Sequence, residues 1–234
     1  MRSGDLDLEK YNTDKITHRY LQWYDPLLER FLGNEINLLE LGIYEGGSLL
    51  LWRDYFPQGK IVGIDIQVRV DLSGEERVRV FQGSQQDVSF LSEVARQAAP
   101  EGFDIIIDDA SHFGDLTKIA FWHLFDNHLK PSGLYVIEDW GTGYWSDWPD
   151  GKTYRPRSEL YSGFLSLLRQ LGVVSRIPSH SHHYGMVGFI KELVDEQGAA
   201  DLARARLTGT VTRGSKFENM TITPSIVFIK KRSA

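Results

Sequence analysis

The apolar positions of this chain follow two alternating rhythms. Short runs at Ile36–Gly42, Lys60–Ile66, Val78–Phe81, Ile105–Ile107 and Leu134–Ile137 are too brief for helices and are rich in Ile, Val and Leu, so they read as buried strands. Between them apolar residues recur at three and four. Tyr20, Leu21, Tyr24, Leu27, Leu28 and Phe31 mark one amphipathic helix, interrupted or restarted at Pro26. Others are predicted over Leu49–Tyr55, Val88–Ala98 and Asp115–Leu129. Pro131-Ser132-Gly133 reads as a turn. Further on, the pattern predicts a helix over Ser158–Leu171, a sixth strand over Tyr184–Ile190, a helix over Leu193–Arg206 and a last strand over Ser225–Lys230. Strand alternating with helix is the sign of an α/β sheet covered on both faces.

Composition narrows the picture. The 234 residues show no repeat and no linker, so a single domain over 1–234 is expected, with a helical lead-in over 1–35. There is no apolar run long enough for a membrane helix, and no apolar stretch of a secretion signal opens the chain, so a cytoplasmic address is expected. A net charge of -6 argues against a nucleic-acid partner. The absence of cysteine rules out disulfides, thiolate nucleophiles and zinc–thiolate sites. A metal would need carboxylate, imidazole and water, which favours magnesium or manganese. The apolar lead-in helix, lying outside the sheet, could serve a homodimer or a higher homo-oligomer.

The candidate chemistry gathers where the strands end, which is where open α/β sheets hold ligands. The first strand carries Glu40 and runs into a glycine-rich turn, Gly42-x-x-x-Gly46-Gly47-Ser48, whose spacing is not that of dinucleotide enzymes. Asp65 closes the second strand, about 20 residues on, where an acid binds ribose hydroxyls. The turn Gln82–Asp87 could read an adenine edge or cap the next helix. The fourth strand ends in Asp108-Asp109-Ala110-Ser111-His112 and the fifth in Glu138-Asp139. Neighbouring strands lie roughly 4.8 Å apart, so Asp109, Glu138 and Asp139 could share one ion. Residues 140–157, with Trp140, Tyr144, Trp145, Trp148 and Tyr154, suggest an aromatic lid or binding wall. Thr13, Lys15 and His18 crowd polar side chains into a short stretch, while His180, His182 and His183 read as a polar loop.

Together, Leu38–Ser48, Val62–Ile66, Gln82–Gln85, Asp108–His112 and Ile137–Asp139, preceded by Lys10–Lys15 and His18, resemble class I S-adenosylmethionine methyltransferases. More narrowly they resemble the metal-dependent sugar O-methyltransferases of the macrocin and mycinamicin type. The resemblance implies a Rossmann-like sheet of seven mostly parallel strands with an antiparallel final strand. It implies S-adenosylmethionine and Mg²⁺ as cofactors and a saccharide or other small-molecule acceptor. It would place Glu40, Gly42 and Ser48 by the methionine end, Asp65 on the ribose, Gly83, Ser84 and Gln85 by the adenine, and Asp108 on the cofactor side. Asp109, Glu138 and Asp139 would bind the metal and His112 would be the general base. Thr13, Lys15, His18, Trp140, Tyr144 and Trp145 would face the acceptor. A catechol-type methyltransferase is the nearest rival, and an NAD-dependent oxidoreductase is a rival of another class.

Overall fold

The computed structural model describes residues 3–152, 167, 168, 170–172, 183–205 and 208–233. Strands β1 (Asn37–Leu41), β2 (Lys60–Asp65), β3 (Val78–Gln82), β4 (Phe103–Asp108), β5 (Leu129–Glu138), β6 (Phe217–Ile222) and β7 (Ile226–Lys231) form one sheet in the order β3-β2-β1-β4-β5-β7-β6. Pairing is parallel from β3 through β5, and β7 runs antiparallel to both neighbours. These are the seven mostly parallel strands, with an antiparallel final strand, that the resemblance implies.

Alternation along the strands sorts side chains onto two faces. Leu38, Ile105, Ile107 and Val136 bury against α2 (Leu21–Leu28) and α3 (Gly47–Tyr55). Leu39, Leu41, Ile106, Tyr135 and Ile137 bury against α4 (Val88–Ala98), α5 (Gly114–Asn127) and α6 (Gly185–Gln197). The same parity places the acids. Glu40 and Glu138 follow Leu38 and Val136 onto the α2 face, whereas Asp108 follows Ile106 onto the other. Asp108 is level with Ile137 across β4 and β5, so Asp109 and Glu138 emerge side by side at the carboxyl ends of these central strands.

The lead-in is part of the core. Tyr24 and Leu28 of α2 are fully buried. Burial of a leucine contributes about 1.5–3 kcal/mol, against about 0–1 for a surface ion pair, so apolar contact holds α2 to the sheet. The face read as a candidate dimer surface is covered from within the chain. Pro26 lies inside α2 and does not break it.

Three expectations are corrected. Tyr184–Ile190 is not a strand but the start of α6. Its buried residues Met186, Phe189, Ile190 and Leu193 follow the three-and-four spacing of a helix, and the helix predicted from Leu193 therefore begins earlier. The true sixth strand, Phe217–Ile222, is an edge strand with mostly exposed side chains, so it leaves no apolar run to read. Pro131-Ser132-Gly133 lies within β5, beside a register irregularity against β4. Of the aromatic lid, Trp140–Tyr144 and Pro149–Gly151 form 3-10 turns. Residues 153–157, His180, His182 and most of the predicted helix Ser158–Leu171 lie outside the described residues.

A close contact ties the lead-in to the glycine turn. A Cβ on Gly47 would stand 1.9 Å from the Asn12 carbonyl oxygen. Gly47→Ala is therefore expected to lower unfolding stability by about 1–3 kcal/mol, the usual cost of overpacking, as read from urea denaturation. An unchanged midpoint would show that the lead-in can withdraw freely.

Candidate active site

Two adjoining cavities open at the carboxyl ends of β1, β2 and β4. The larger, about 620 Å³, is bordered by Thr13, Gly42, Ser48, Asp65, Asp109 and His112. The smaller, about 150 Å³, is bordered by Gly42, Asp65, Gly83, Ser84, Gln85 and Ser111. Together they suit a ligand with an adenine-sized end in the small chamber and its reactive end in the large one.

The turn after β1 needs its first glycine. Gly42 has φ +84°, and a Cβ there would meet the Asp109 carbonyl oxygen at 2.2 Å. Asp65 braces the same turn: one carboxylate oxygen accepts from the Ile43 N–H at 2.9 Å and the Tyr44 N–H at 3.2 Å, the other from the Gln67 N–H. Glu40 lies behind the cavity wall. It is fully buried and accepts from Ser48 Oγ at 2.7 Å, while Ser48 itself borders the cavity.

Asp108 borders neither cavity. It is buried and accepts from Gln85 Nε2 at 3.3 Å, and the Gln85 carbonyl in turn accepts from the Ser111 N–H at 3.1 Å. The side chain expected on the cofactor side thus holds Gln85, which does border the small cavity.

The metal candidates divide in an unexpected way. Asp109, His112 and Asp139 each offer one ligand atom, and these lie within 4.8 Å of one another. His112 Nε2 is 3.9 Å from Asp109 Oδ1 and 3.9 Å from Asp139 Oδ2. His112 and Asp139 both adopt left-handed backbone, φ 52° and 53°, a conformation that costs energy in residues other than glycine and collects at functional sites. The two carboxylate oxygens suit a hard divalent ion, and the imidazole nitrogen beside them suits a proton acceptor. Glu138 stands apart from this triad. One of its oxygens accepts from Lys15 Nζ at 3.0 Å and the other from the Tyr24 hydroxyl.

Lys15, expected to face an acceptor, is fully buried instead, with Glu40, Asp109 and Glu138 around its ammonium. Burial disfavours its charge, but the three carboxylates outweigh that and hold its pKa well above the ordinary value. Tyr20 donates to Asp139 and Tyr24 to Glu138. Burial and these carboxylates raise both phenols above their usual range, so they remain donors. Of the other acceptor candidates, Thr13 borders the large cavity, while His18 is exposed beside Asp14. Trp140 donates to the Thr223 carbonyl at 3.0 Å, and Tyr144 and Trp145 are exposed. Trp148 lies closer to the site: its ring packs 5.9 Å from that of His112 and its N–H donates to the His112 carbonyl.

No protein-family model matches the chain. The mycinamicin VI 2''-O-methyltransferase of Micromonospora griseorubida is 32% identical over 219 residues, 82% of this chain and 54% of the relative. A tetracenomycin rhamnosyl 3'-O-methyltransferase of Streptomyces olivaceus is 40% identical over 178 residues, 71% of this chain and 45% of the relative. The solved MycE methyltransferase of the mycinamicin pathway, in complex with Mg and SAH, superposes with a TM-score of 0.66 at 29% identity, covering 91% of this chain and 48% of that one. The chain has the class I methyltransferase fold. It resembles the sugar O-methyltransferases of that fold and spans about half the length of these relatives.

Within this methyltransferase fold, Asp108 supplies a pH test. Burial pushes its carboxyl up to about 7, despite the hydrogen bonds from the Ala110 and Gln85 N–H groups. An unfolded aspartate titrates near 3.9. The folded state therefore holds the proton more tightly, and the associated stability is full below about pH 4 and lost as pH rises to about 7. Asp108→Asn removes this dependence. The stability of the wild type relative to that variant should fall across the interval in urea titrations; a constant difference would contradict the assignment.

Proposed function

We propose that the chain is an S-adenosylmethionine- and divalent-metal-dependent O-methyltransferase acting in the cytoplasm on a sugar hydroxyl of a small glycosylated acceptor. The observation that carries this reading is the convergence of Asp109, His112 and Asp139 beside a cavity walled by the Gly42–Ser48 turn. The relatives' named activities on macrolide and tetracenomycin sugars support it.

Asp65 and Ser48 border the space for the ribose and methionine end of the cofactor, and Gly83, Ser84 and Gln85 the space for its adenine. S-Adenosylmethionine, when bound, supplies the methyl group. Asp109 and Asp139 would hold the metal, with Glu138 as the third acid at the same strand ends. Mg²⁺ or Mn²⁺ bound there would lower the pKa of an acceptor hydroxyl. His112 Nε2 accepts the hydroxyl proton, a role suited to an imidazole. The charge created there meets the carboxylates of Asp109 and Asp139 at 3.9 Å on either side. Trp148 packs on the imidazole and holds its backbone carbonyl, so the base is oriented from two directions. In-line methyl transfer gains most of its acceleration from such positioning.

EDTA is expected to abolish turnover of a rhamnoside or macrolide glycoside while S-adenosylmethionine binding, read by calorimetry, persists. His112→Ala should lower kcat by about 10²–10⁴-fold with the same retained binding. Unchanged rates in both experiments would sink the mechanism, and faster turnover of catechols than of glycosides would sink the acceptor class.

A further inference from the structure

The Asp150 carboxylate lies across the starts of two helices. Its Oδ2 accepts from the Gly114 N–H at 2.8 Å and from the Met186 N–H at 2.7 Å, in the first turns of α5 and α6. The opening N–H groups of a helix have no partner within it, and the positive end of its dipole favours an anion. Phe113 and Tyr184, which precede the two helices, cap neither with a side chain. Asp150 caps both, from 36 residues away in each direction along the chain.

Two glycines bring these helix starts together. A Cβ on Gly114 would stand 2.1 Å from the Gly185 carbonyl carbon, and one on Gly185 would stand 2.6 Å from Asp150 Oδ2. Only such a close approach lets one oxygen meet both N–H groups.

The same stretch grips His112 at a second point. The Trp148 indole N–H and the Thr142 hydroxyl donate to the His112 carbonyl at 3.3 and 3.4 Å. Trp148 and Asp150 share a tight turn, in which the Gly151 N–H donates to the Trp148 carbonyl at 3.0 Å. A Cβ on Gly151 would stand 1.8 Å from the Trp145 carbonyl oxygen, so the turn has little freedom. His112 and Gly114 are thus both held from the stretch between Thr142 and Asp150. The left-handed backbone of His112 needs such support, because it persists only where its surroundings over-determine it. Asp150 borders neither cavity, so it acts on the chemistry only through what it holds.

We infer that Asp150 is a positioning residue for His112: it fixes the starts of α5 and α6, seats Trp148 on the His112 carbonyl, and so aims the imidazole at the space beside Asp109 and Asp139. This role rests on the reading of His112 as the general base. Positioning matters in such a transfer, since a displacement of about 1 Å can cost about 10²-fold in rate.

A double-mutant cycle tests it. Single-turnover transfer of labelled methyl from S-adenosylmethionine to a rhamnoside is measured in saturating Mn²⁺, with cofactor affinity read by calorimetry. Asp150→Ala should lower the rate about 10–100-fold while cofactor affinity stays within a few fold of wild type. Beside His112→Ala the same substitution should change the residual rate by less than about twofold, because losses that act through one residue do not add. Asp150→Asn keeps an oxygen for both N–H groups and should recover most of the loss. A wild-type rate in Asp150→Ala, or an equal loss in both backgrounds, would overturn the inference. If Asp150→Ala does not fold, Asp150→Glu keeps the charge at both helix starts on a longer side chain. It should show the same loss alone and none beside His112→Ala, and a wild-type rate there would overturn the inference. An undiminished rate in His112→Ala alone would refute the base reading itself, an outcome seen before Asp150 is altered.

Discussion

One ammonium facing three carboxylates joins the lead-in of this chain to its central strands. Lys15 lies 94 residues from Asp109 and 123 from Glu138 in sequence, yet its Nζ touches both. The sheet makes the meeting possible. Glu40 and Glu138 share a face by strand parity, and Asp109 emerges beside Glu138. The apolar face of α2 brings Tyr24 and the preceding turn over that edge. Removing any of these elements would leave charge buried without a partner, the costliest defect a small core can hold.

The same arrangement accounts for the cavity. The cofactor-shaped space exists because Gly42 lets the chain after β1 approach Asp109, and because Gly47 lets Asn12 lie against the helix that follows. His112 and Asp139 then leave their strands through left-handed backbone, which turns their side chains toward one another. The site is thus a product of strand ends, two glycines and a lead-in, held by parts that are individually ordinary.

Much of this was legible from residues alone. The five strands through residue 138, the helices between them and the acid pairs at two strand ends follow from run length and periodicity. The division of labour among the acids was less legible. Parity along β1, β4 and β5 could have shown that Asp108 points away from Glu40 and Glu138, since the alternation is visible in the sequence. What could not be read was the partner of each acid: Lys15, Tyr20 and Tyr24 reach the site through the packing of a segment whose pattern shows only a helix. The backbone conformations of His112 and Asp139 leave no compositional trace. Edge strand β6 was missed because an exposed strand lacks the apolar run that marks a buried one, and α6 was misread because its first residues form a short apolar run like that of a buried strand.

The central claim is that Asp109, Asp139 and His112 form one centre, the acids for a divalent ion and the imidazole for a proton. Mn²⁺ affinity in Asp139→Asn and His112→Ala tests it most directly. Asp139→Asn should weaken Mn²⁺ binding strongly, and His112→Ala should retain it within a few fold while losing turnover. Unchanged binding in Asp139→Asn, or lost binding in His112→Ala, would contradict the account.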